Sequence, residues 1–287
     1  MTGGSQPGIL LKVQDLLVRR GGATVLDIPA LDLFQGQVLS LIGPNGAGKS
    51  TLMLTLAGLL KPSRGTIFFR EERIADGGFA YRRHIAMVFQ EPLLFDATVF
   101  ENVATGLKIR GIGRSEIDRT VPLYLERFGI GHLTKRSARK LSGGEAQRTS
   151  LARAFVTKPE IIFLDEPFSA LDPPTREALT GDLERILRET HTTAVASTHD
   201  QSEALRLADR LAVVHGELPD HREADDHRHD DERHDRVVED RVREERLAFL
   251  LDVFLVALER FAIFLNLLAR HGQLASSSLC SRMSPSR

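Results

Sequence analysis

The chain of 287 residues carries 38 Lys and Arg against 39 Asp and Glu, which gives a formal net charge of -1. This length allows a substantial core in one large domain or two modest ones, and the near-neutral balance excludes a global basic field for nucleic acid. The single cysteine, Cys280, excludes an internal disulfide, and an N-terminus without the basic and apolar regions of a signal peptide favours a reducing, cytosolic compartment.

The first part of the chain predicts short strands around one helix. Apolar and β-branched runs predict strands at residues 9–18, 24–28, 38–42, 66–69 and 85–89. A leucine-rich stretch at residues 50–60 predicts a helix that begins directly after a glycine-rich turn.

That turn, residues 43–51, reads GPNGAGKST. Gly43, Gly48, Lys49 and Ser50 satisfy the phosphate-loop pattern, in which the glycines let backbone N–H groups face the phosphates and the lysine reaches the β and γ oxygens. Ser50 is expected to place its hydroxyl on Mg²⁺. The strand, loop and helix context favours this interpretation over an ordinary glycine turn. The other loop residues expected to contact the nucleotide are Pro44, Asn45, Gly46, Ala47 and Thr51.

Helical patterns then interrupt the strands. Residues 98–107 and 115–128 have helical spacing, so we predict a helical subdomain inserted at about residues 92–159. Strand and helix patterns then alternate: strands at residues 161–164, 193–197 and 211–214, helices at residues 175–188 and 201–207. This alternation predicts an α/β fold with a parallel sheet covered on both faces.

Two carboxylates follow the apolar run at residues 161–164. α/β sheets place ligand sites at the carboxyl ends of their strands. Asp165 is therefore expected to hold Mg²⁺ through water, and Glu166 to orient or deprotonate an attacking water. An apolar strand that ends in Asp-Glu is common, but the phosphate loop elsewhere in the chain favours the catalytic interpretation.

A second anion-binding pattern lies at residues 141–148, LSGGEAQR, which we call the signature. Ser142, Gly143 and Gly144 open a predicted helix, and a serine with two glycines there offers a second set of N–H donors. Either this is an ordinary helix cap, or it serves a nucleotide bound by another copy of the chain.

The order of these motifs resembles the ATP-binding subunits of ABC transporters over about residues 9–215. In family order the six elements are GPNGAGKST as the Walker A loop, Gln90 in VFQEP as the Q-loop glutamine, LSGGEAQR as the signature, IIFLDEP as Walker B, SALD ending at Asp172 as the D-loop, and His199 in STHD as the switch histidine.

The resemblance implies a P-loop NTPase core at residues 9–216 with a mixed sheet, an antiparallel β subdomain and the inserted helical subdomain. It also implies a head-to-tail dimer, in which the signature and Asp172 of one subunit close over ATP and Mg²⁺ held by the other. Glu166 would be the catalytic carboxylate, and His199 would contact the γ-phosphate. Gln90 would bind Mg²⁺ or water and couple the site to integral-membrane permease subunits.

The chain departs from the family pattern at the expected adenine contact. Many family members place an aromatic residue before the Gly-Gly turn, whereas VRRGG offers Arg20. A planar guanidinium can stack on a purine. A solvated surface arginine is the alternative that the sequence leaves open.

An atypical C-terminal tail at residues 217–287 is the larger departure. Residues 217–246 hold thirteen Asp or Glu, seven Arg and four His, and no lysine follows Lys158, so we hypothesise that the reading frame changes near Gly216. A zinc site at His221, His227, His229 and His234 is an alternative to a solvated or disordered charge run. Residues 247–268 are long enough to span a bilayer, but Asp252, Glu259 and Arg260 favour an amphipathic or packing helix.

The resemblance favours the ATP-hydrolysing motor of an importer, peripheral on the cytoplasmic face of the inner or plasma membrane, with a substrate-binding protein as an indirect partner and no nucleic acid. The competing class is a soluble ABC-type ATPase that regulates or assembles another machine. The segment EPLLFDATVFENVATGLKIRG resembles bacterial tungstate and molybdate importers, which favours these oxyanions over other anions and amino acids as cargo.

Overall fold

A computed structural model describes residues 8–74 and 78–215. The strands are β1 Ile9–Arg20, β2 Ala23–Phe34, β3 Val38–Ile42, β4 Arg64–Phe69, β5 Glu72–Arg73, β6 Ile85–Val88, β7 Ile161–Asp165, β8 Thr193–Thr198 and β9 Arg210–Val213. The α-helices are α1 Lys49–Leu56, α2 Phe79–Arg82, α3 Val99–Ile109, α4 Arg114–Arg127, α5 Gly143–Phe155, α6 Pro173–Thr190 and α7 Gln201–Leu207.

The strands form two separate sheets. In the first, the order is β2-β1-β4-β5 and every neighbouring pair is antiparallel. β1 and β2 are joined through Gly21 and Gly22, whose φ angles of 55° and 90° provide the left-handed conformation of a tight hairpin turn. The second sheet has the order β6-β7-β8-β3-β9 with every pair parallel. The predicted α/β class, with an antiparallel part beside the P-loop core, is confirmed.

The parallel sheet aligns the ends of its strands. Every residue of β7 and β8 is buried, as expected for a sheet covered on both faces. The pairing register places Asp165 opposite Ser197, and Ile42 opposite Thr198. The residues that follow β3, β7 and β8 therefore meet at one edge.

Helices α3, α4 and α5 lie between β6 and β7 in the chain and share an apolar core. Val103, Val121 and Leu151 are fully buried, and the rings of Phe128 and Phe155 lie 5.7 Å apart between centroids. These helices occupy the predicted insertion, and its bounds as a subdomain stay a prediction.

Helix α1 ends earlier than predicted. The sequence pattern extends to Leu60, but the helix stops at Leu56 because Gly58 takes a left-handed conformation with φ of 69°. The amide of Leu59 then donates to the carbonyl of Leu54, which satisfies a free carbonyl of the last turn.

The expectations for the tail lie outside the described residues. These are the frame change near Gly216, the histidine metal site and the apolar segment at residues 247–268. Within the described residues, no helix combines the length and the apolar character that crossing a membrane requires.

We predict that Leu41→Ala lowers the free energy of unfolding by about 2–5 kcal/mol, because it leaves a cavity in a close-packed sheet. Leu41 lies on β3 between β8 and β9 and is 0% exposed. Leu123→Ala is the control, because this α4 side chain is 61% exposed and its loss should change stability by no more than about 0.5 kcal/mol. Urea denaturation measures both, and equal losses would contradict the described core.

Candidate active site

The candidate site lies at the carboxyl edge of the parallel sheet. The loop from Gly43 to Gly48 follows β3, Glu166 follows β7 and His199 follows β8. Because these strands are neighbours, residues far apart in sequence come together here. This is the edge at which parallel α/β sheets bind ligands.

Two glycines of the phosphate loop are packed too closely for a side chain. A Cβ at Gly43 would lie 2.3 Å from the carbonyl oxygen of Val214, and a Cβ at Gly48 would lie 2.8 Å from Leu26 Cδ2. Gly48 also has a φ of 93° and caps α1. At Gly46 a Cβ would meet nothing within 4 Å, so the loop opens on that side.

Lys49 lies under this loop. It is 5% exposed, and its Nζ donates to the carbonyl oxygens of Gly43 at 2.9 Å and Pro44 at 3.0 Å. Glu166 Oε1 lies 3.6 Å from the same Nζ. The ammonium group therefore joins the loop backbone to the carboxylate that the sequence assigns to catalysis.

Asp165 accepts hydrogen bonds from two hydroxyl groups. Ser50 Oγ donates to Asp165 Oδ1 at 2.9 Å, and Ser197 Oγ donates to the same oxygen at 2.8 Å. Asp165 is 2% exposed. The end of β7 is thus joined to the start of α1 and to the end of β8.

Glu166 has an unusual backbone conformation. Its φ of 43° lies in the left-handed region, which is strained for a residue with a side chain. Its amide donates to the carbonyl oxygen of Ser197 at 3.2 Å and to Ser197 Oγ at 3.1 Å. These two bonds hold the strained residue in place.

His199 contacts the other oxygen of this carboxylate. Its Nδ1 lies 3.2 Å from Glu166 Oε2, and it donates there in the tautomer that carries a proton on Nδ1. His199 is about half exposed, whereas the Glu166 side chain is 18% exposed. The carboxylate therefore lies between the Lys49 ammonium and an accessible imidazole.

Gln90 follows strand β6, and Arg20 is the last residue of β1. Gln90 is exposed and comes two residues after Val88, whose register partner is Leu164 on β7. Arg20 ends β1 beside the hairpin turn, and β2 carries Leu26 against Gly48. The roles of both residues stay predictions.

The signature begins α5 with a capping box. Ser142 Oγ accepts from the amide of Glu145 at 3.3 Å, and Glu145 Oε2 accepts from the amide of Ser142 at 2.8 Å. Among the described residues, no hydrogen bond or ion pair joins Ser142, Gly143 or Gly144 to the phosphate loop. Within the described residues, the two anion-binding patterns therefore share no hydrogen bond.

The D-loop lies beside the signature of its own chain. A Cβ at Gly143 would lie 3.8 Å from Leu171 Cδ2 in the D-loop, and a Cβ at Gly144 would lie 2.8 Å from Thr175 Cγ2 in the first turn of α6. Asp172 is exposed and caps α6, because its Oδ1 accepts from the amide of Thr175 at 3.1 Å. Hydrogen bonds from the side chain of Thr175 and then from its backbone amide lower the pKa of Asp172.

Sequence reasoning missed two residues that organise the site. Ser197 donates to the carboxylate of Asp165 and accepts from the backbone amide of Glu166, and a small hydroxyl residue near the end of β8 was a usable signal. Arg176 donates to the carbonyl oxygens of Ser169 at 3.3 Å and Leu171 at 3.0 Å, and lies 3.9 Å from Asp200. It joins the D-loop to the segment after His199, and only the folded chain reveals this.

The residues present fit a nucleoside triphosphate with Mg²⁺. The tight glycine loop at the N-terminus of α1 offers backbone N–H groups to phosphates. Ser50 and Asp165 offer the hard oxygen ligands that Mg²⁺ prefers. Among the described residues, no cluster of His, Cys, Asp and Glu forms a separate metal site.

Comparison with known proteins supports this assignment. The family model "ABC transporter" matches residues 26–169. The sulfate/thiosulfate import ATP-binding protein CysA of Mycobacterium tuberculosis is 44% identical over 204 residues, which is 71% of this chain and 58% of that protein. The molybdate/tungstate import ATP-binding protein WtpC of Pyrococcus horikoshii is 41% identical over 186 residues, 64% of this chain and 54% of that protein.

Further relatives are import proteins for other compounds. The trehalose/maltose import ATP-binding protein of Thermococcus litoralis and the spermidine/putrescine import ATP-binding protein of Thermobifida fusca are 40% and 42% identical. The chain spans little more than half the length of these curated relatives. Among solved structures, cbiO1 of Clostridium perfringens, part of the ABC transporter complex cbiONQ, matches with a TM-score of 0.68 and 32% identity over 72% of this chain and 85% of that one.

We predict that Glu203→Gln makes the protein more stable relative to wild type as the pH rises from about 4 to about 7. Burial raises the pKa of Glu203, against the opposing hydrogen bond from Thr198. Below the ordinary pKa the carboxyl is neutral in both the folded and unfolded states, and above the folded pKa folding carries the full cost of burying its charge. Urea denaturation across this pH range measures the difference.

Glu101→Gln is a control of opposite sign. The hydrogen bond from the Thr98 backbone lowers the pKa of Glu101, so this variant should lose stability relative to wild type as the pH rises. A Glu203→Gln difference that does not change with pH would contradict the described burial.

Proposed function

The chain belongs to the ABC transporter family, and from this premise we propose that it is the ATP-binding and ATP-hydrolysing subunit of an importer. The observation that supports this proposal most directly is the side-chain cluster at one edge of the parallel sheet, formed by Lys49, Ser50, Asp165, Glu166 and His199. ATP is its nucleotide and Mg²⁺ its metal. When bound, Mg²⁺ offsets negative charge on the β- and γ-phosphates.

Glu166 is the proposed general base. Its carboxylate accepts a proton from the water that attacks the γ-phosphate, and the strained backbone held by Ser197 fixes its position. His199 donates toward Glu166 Oε2 and orients the carboxylate and the water. When the nucleotide binds, the Lys49 ammonium group shifts from the loop carbonyls to the phosphate oxygens.

The active unit is proposed to be a head-to-tail dimer of two copies. The support is that, among the described residues, no hydrogen bond or ion pair joins the capped N-terminus of α5 to the phosphate loop. Ser142, Gly143 and Gly144 of one copy close over the nucleotide of the other. Asp172, beside that signature, then lies at the interface.

The remaining partners are permease subunits and, indirectly, a substrate-binding protein. The support is the import function named for the relatives of this chain. In this arrangement the subunit lies on the cytoplasmic face of the membrane, with Gln90 and the following helices toward the permease. If the chain is instead a soluble regulatory ATPase of the same family, it should have no membrane partner. Co-purification of the chain with a permease encoded beside its own gene therefore distinguishes the importer subunit from the soluble ATPase.

We propose tungstate or a related oxyanion as the cargo. The support is the helical segment after Gln90 and the presence of sulfate and molybdate/tungstate importers among the relatives. Relatives that import sugars and polyamines are of similar identity, so direct measurement must decide.

The decisive experiment for hydrolysis is Glu166→Gln. It should retain ATP binding and lower turnover by about 10²–10⁴-fold, because the amide cannot accept the proton. Glu160→Gln is the matched control, since Glu160 lies just before the opposite end of the same strand, and it should hydrolyse ATP like the wild type. Undiminished turnover in Glu166→Gln would remove the catalytic assignment.

The cargo is tested with the subunit reconstituted in vesicles with its permease and binding protein. Tungstate or molybdate should stimulate ATP hydrolysis, whereas maltose and spermidine should not. Stimulation by a sugar or a polyamine alone would overturn the oxyanion proposal without affecting the ATPase assignment.

A further inference from the structure

His199 lies at the apex of a turn that a side-chain hydroxyl closes. Thr198 is the last residue of β8, and its Oγ1 accepts a hydrogen bond from the amide of Asp200, two residues further on, at 3.0 Å. Ser and Thr hydroxyls close local turns in this way. The hydrogen bond spans the backbone of His199 and fixes the point from which its imidazole reaches Glu166.

Both ends of this turn are held by regular structure. Thr198 is 3% exposed and pairs with Ile42 of β3. Asp200 caps α7, because its Oδ1 accepts from the amides of Ser202 at 2.8 Å and Glu203 at 3.1 Å. The turn therefore connects the parallel sheet to the first residues of α7.

Glu203 sets the direction in which the Thr198 hydroxyl points. A hydroxyl group has one proton and two lone pairs, and it rotates to suit its partners. Thr198 Oγ1 donates to Glu203 Oε2 at 3.0 Å, which directs the proton toward α7 and leaves a lone pair for the amide of Asp200. Without this acceptor the hydroxyl can donate elsewhere, and the turn around His199 loses its fixed closure.

The carboxylate of Glu203 is partly buried at this contact. Desolvation raises its pKa, and the hydrogen bond from Thr198 opposes that rise. A charged group out of water is tolerated only when it is paired or hydrogen-bonded, and the Thr198 hydroxyl supplies such a bond. The hydrolysis proposed for this site makes no use of Glu203.

The two sides of the contact between Glu166 and His199 are thus fixed separately. Ser197 binds the amide of Glu166 through its carbonyl and its hydroxyl. The next residue, Thr198, closes the turn of His199 together with Glu203. His199 Nδ1 and Glu166 Oε2 lie 3.2 Å apart, at the long end of the usual range for a hydrogen bond. The contact therefore depends on both anchors.

We propose that Glu203 is a positioning residue that holds His199 against the Glu166 carboxylate through the hydroxyl of Thr198. Its effect on hydrolysis rests on the proposed ATPase function, whereas its effect on the turn depends only on the described contacts. Within the described residues, the hydrogen bonds of Glu203 go to Thr198 and Asp200 and not to the phosphate loop. Nucleotide binding should therefore not require it.

The turn is tested by amide hydrogen exchange of the full chain without nucleotide, followed residue by residue by NMR. Glu203→Ala should speed exchange of the Asp200 amide by about three- to tenfold, because the hydroxyl that accepts its hydrogen bond is no longer held in place. Glu184→Ala is the matched control, since Glu184 on α6 accepts from Arg206 on α7 at 2.9 Å. It removes another contact of the same helix and should leave the Asp200 amide unchanged. No change in Glu203→Ala, or an equal rise in Glu184→Ala, would overturn the proposal.

The kinetics of ATP hydrolysis separate positioning from general stability. Glu203→Ala should lower kcat by about tenfold and change KM for ATP by less than about twofold, since a misplaced catalytic group slows chemistry without weakening uniform binding. Glu203→Gln keeps an oxygen acceptor for Thr198 and should hold kcat within about twofold of the wild type. Glu184→Ala should hydrolyse ATP like the wild type. An unchanged kcat in Glu203→Ala, or an equal loss in Glu203→Gln, would contradict a positioning role.

Thr198→Val keeps the test valid if Glu203→Ala unfolds. Valine retains the branched shape but lacks the hydroxyl, so this variant should show the same loss of kcat at unchanged KM. Where both single variants fold, the double variant should lose no more than either one, because residues that act through each other are not additive. Losses that multiply would overturn the link through Thr198. A wild type without hydrolysis would contradict the proposed function, and the exchange experiment would still test the turn.

Discussion

A single buried carboxylate holds together the elements on which the site depends. Asp165 accepts from the hydroxyl of Ser50, at the start of α1, and from that of Ser197, at the end of β8. A charge taken out of water is tolerated only when it is paired or hydrogen-bonded. The position of Asp165 therefore fixes the phosphate loop relative to two strands that lie more than a hundred residues further along the chain.

Two of the non-glycine residues with a left-handed backbone lie in or close to segments that carry motif residues. Glu166 and Leu93 both have φ of 43°, and such conformations cost about 1–3 kcal/mol each. Ser197 offsets the strain at Glu166 with two acceptors, and Arg153 offsets that at Leu93 with a charged donor. Each strained residue is thus held by a hydrogen bond to a neighbouring element, Glu166 to β8 and Leu93 to α5.

The contacts around the signature connect three parts of the site. Gly144 lies against Thr175, and Arg176 donates to the D-loop carbonyls. Arg153, on the helix that begins at the signature, donates to the carbonyls of Pro92 and Leu93 after Gln90. In the proposed head-to-tail dimer, a nucleotide at the signature of one copy would contact a surface that is linked to the segments following Gln90 and His199 of that copy. This arrangement gives a physical route by which two sites respond together.

Local sequence patterns were sufficient to predict the class of fold, the phosphate loop and the order of its partner motifs. Apolar periodicity and glycine placement are local properties, so β3 and α7 were predicted to the residue, and the helix after the phosphate loop was overextended only because Gly58 ends it. The head-to-tail pairing came from the resemblance and not from the residues. The domain bounds stay predictions.

The side chains that donate to a common carboxylate or to distant backbone carbonyls were revealed only by the folded structure. Ser197, Arg176 and Arg153 carry no motif of their own, because an arginine on a helix is most often a solvated residue and a serine at a strand end is common. Their roles arise from the register of β7 with β8 and from the packing of α5 and α6 against loops elsewhere in the chain. These are contacts between distant parts of the chain, and local pattern does not encode which distant partner a side chain will meet.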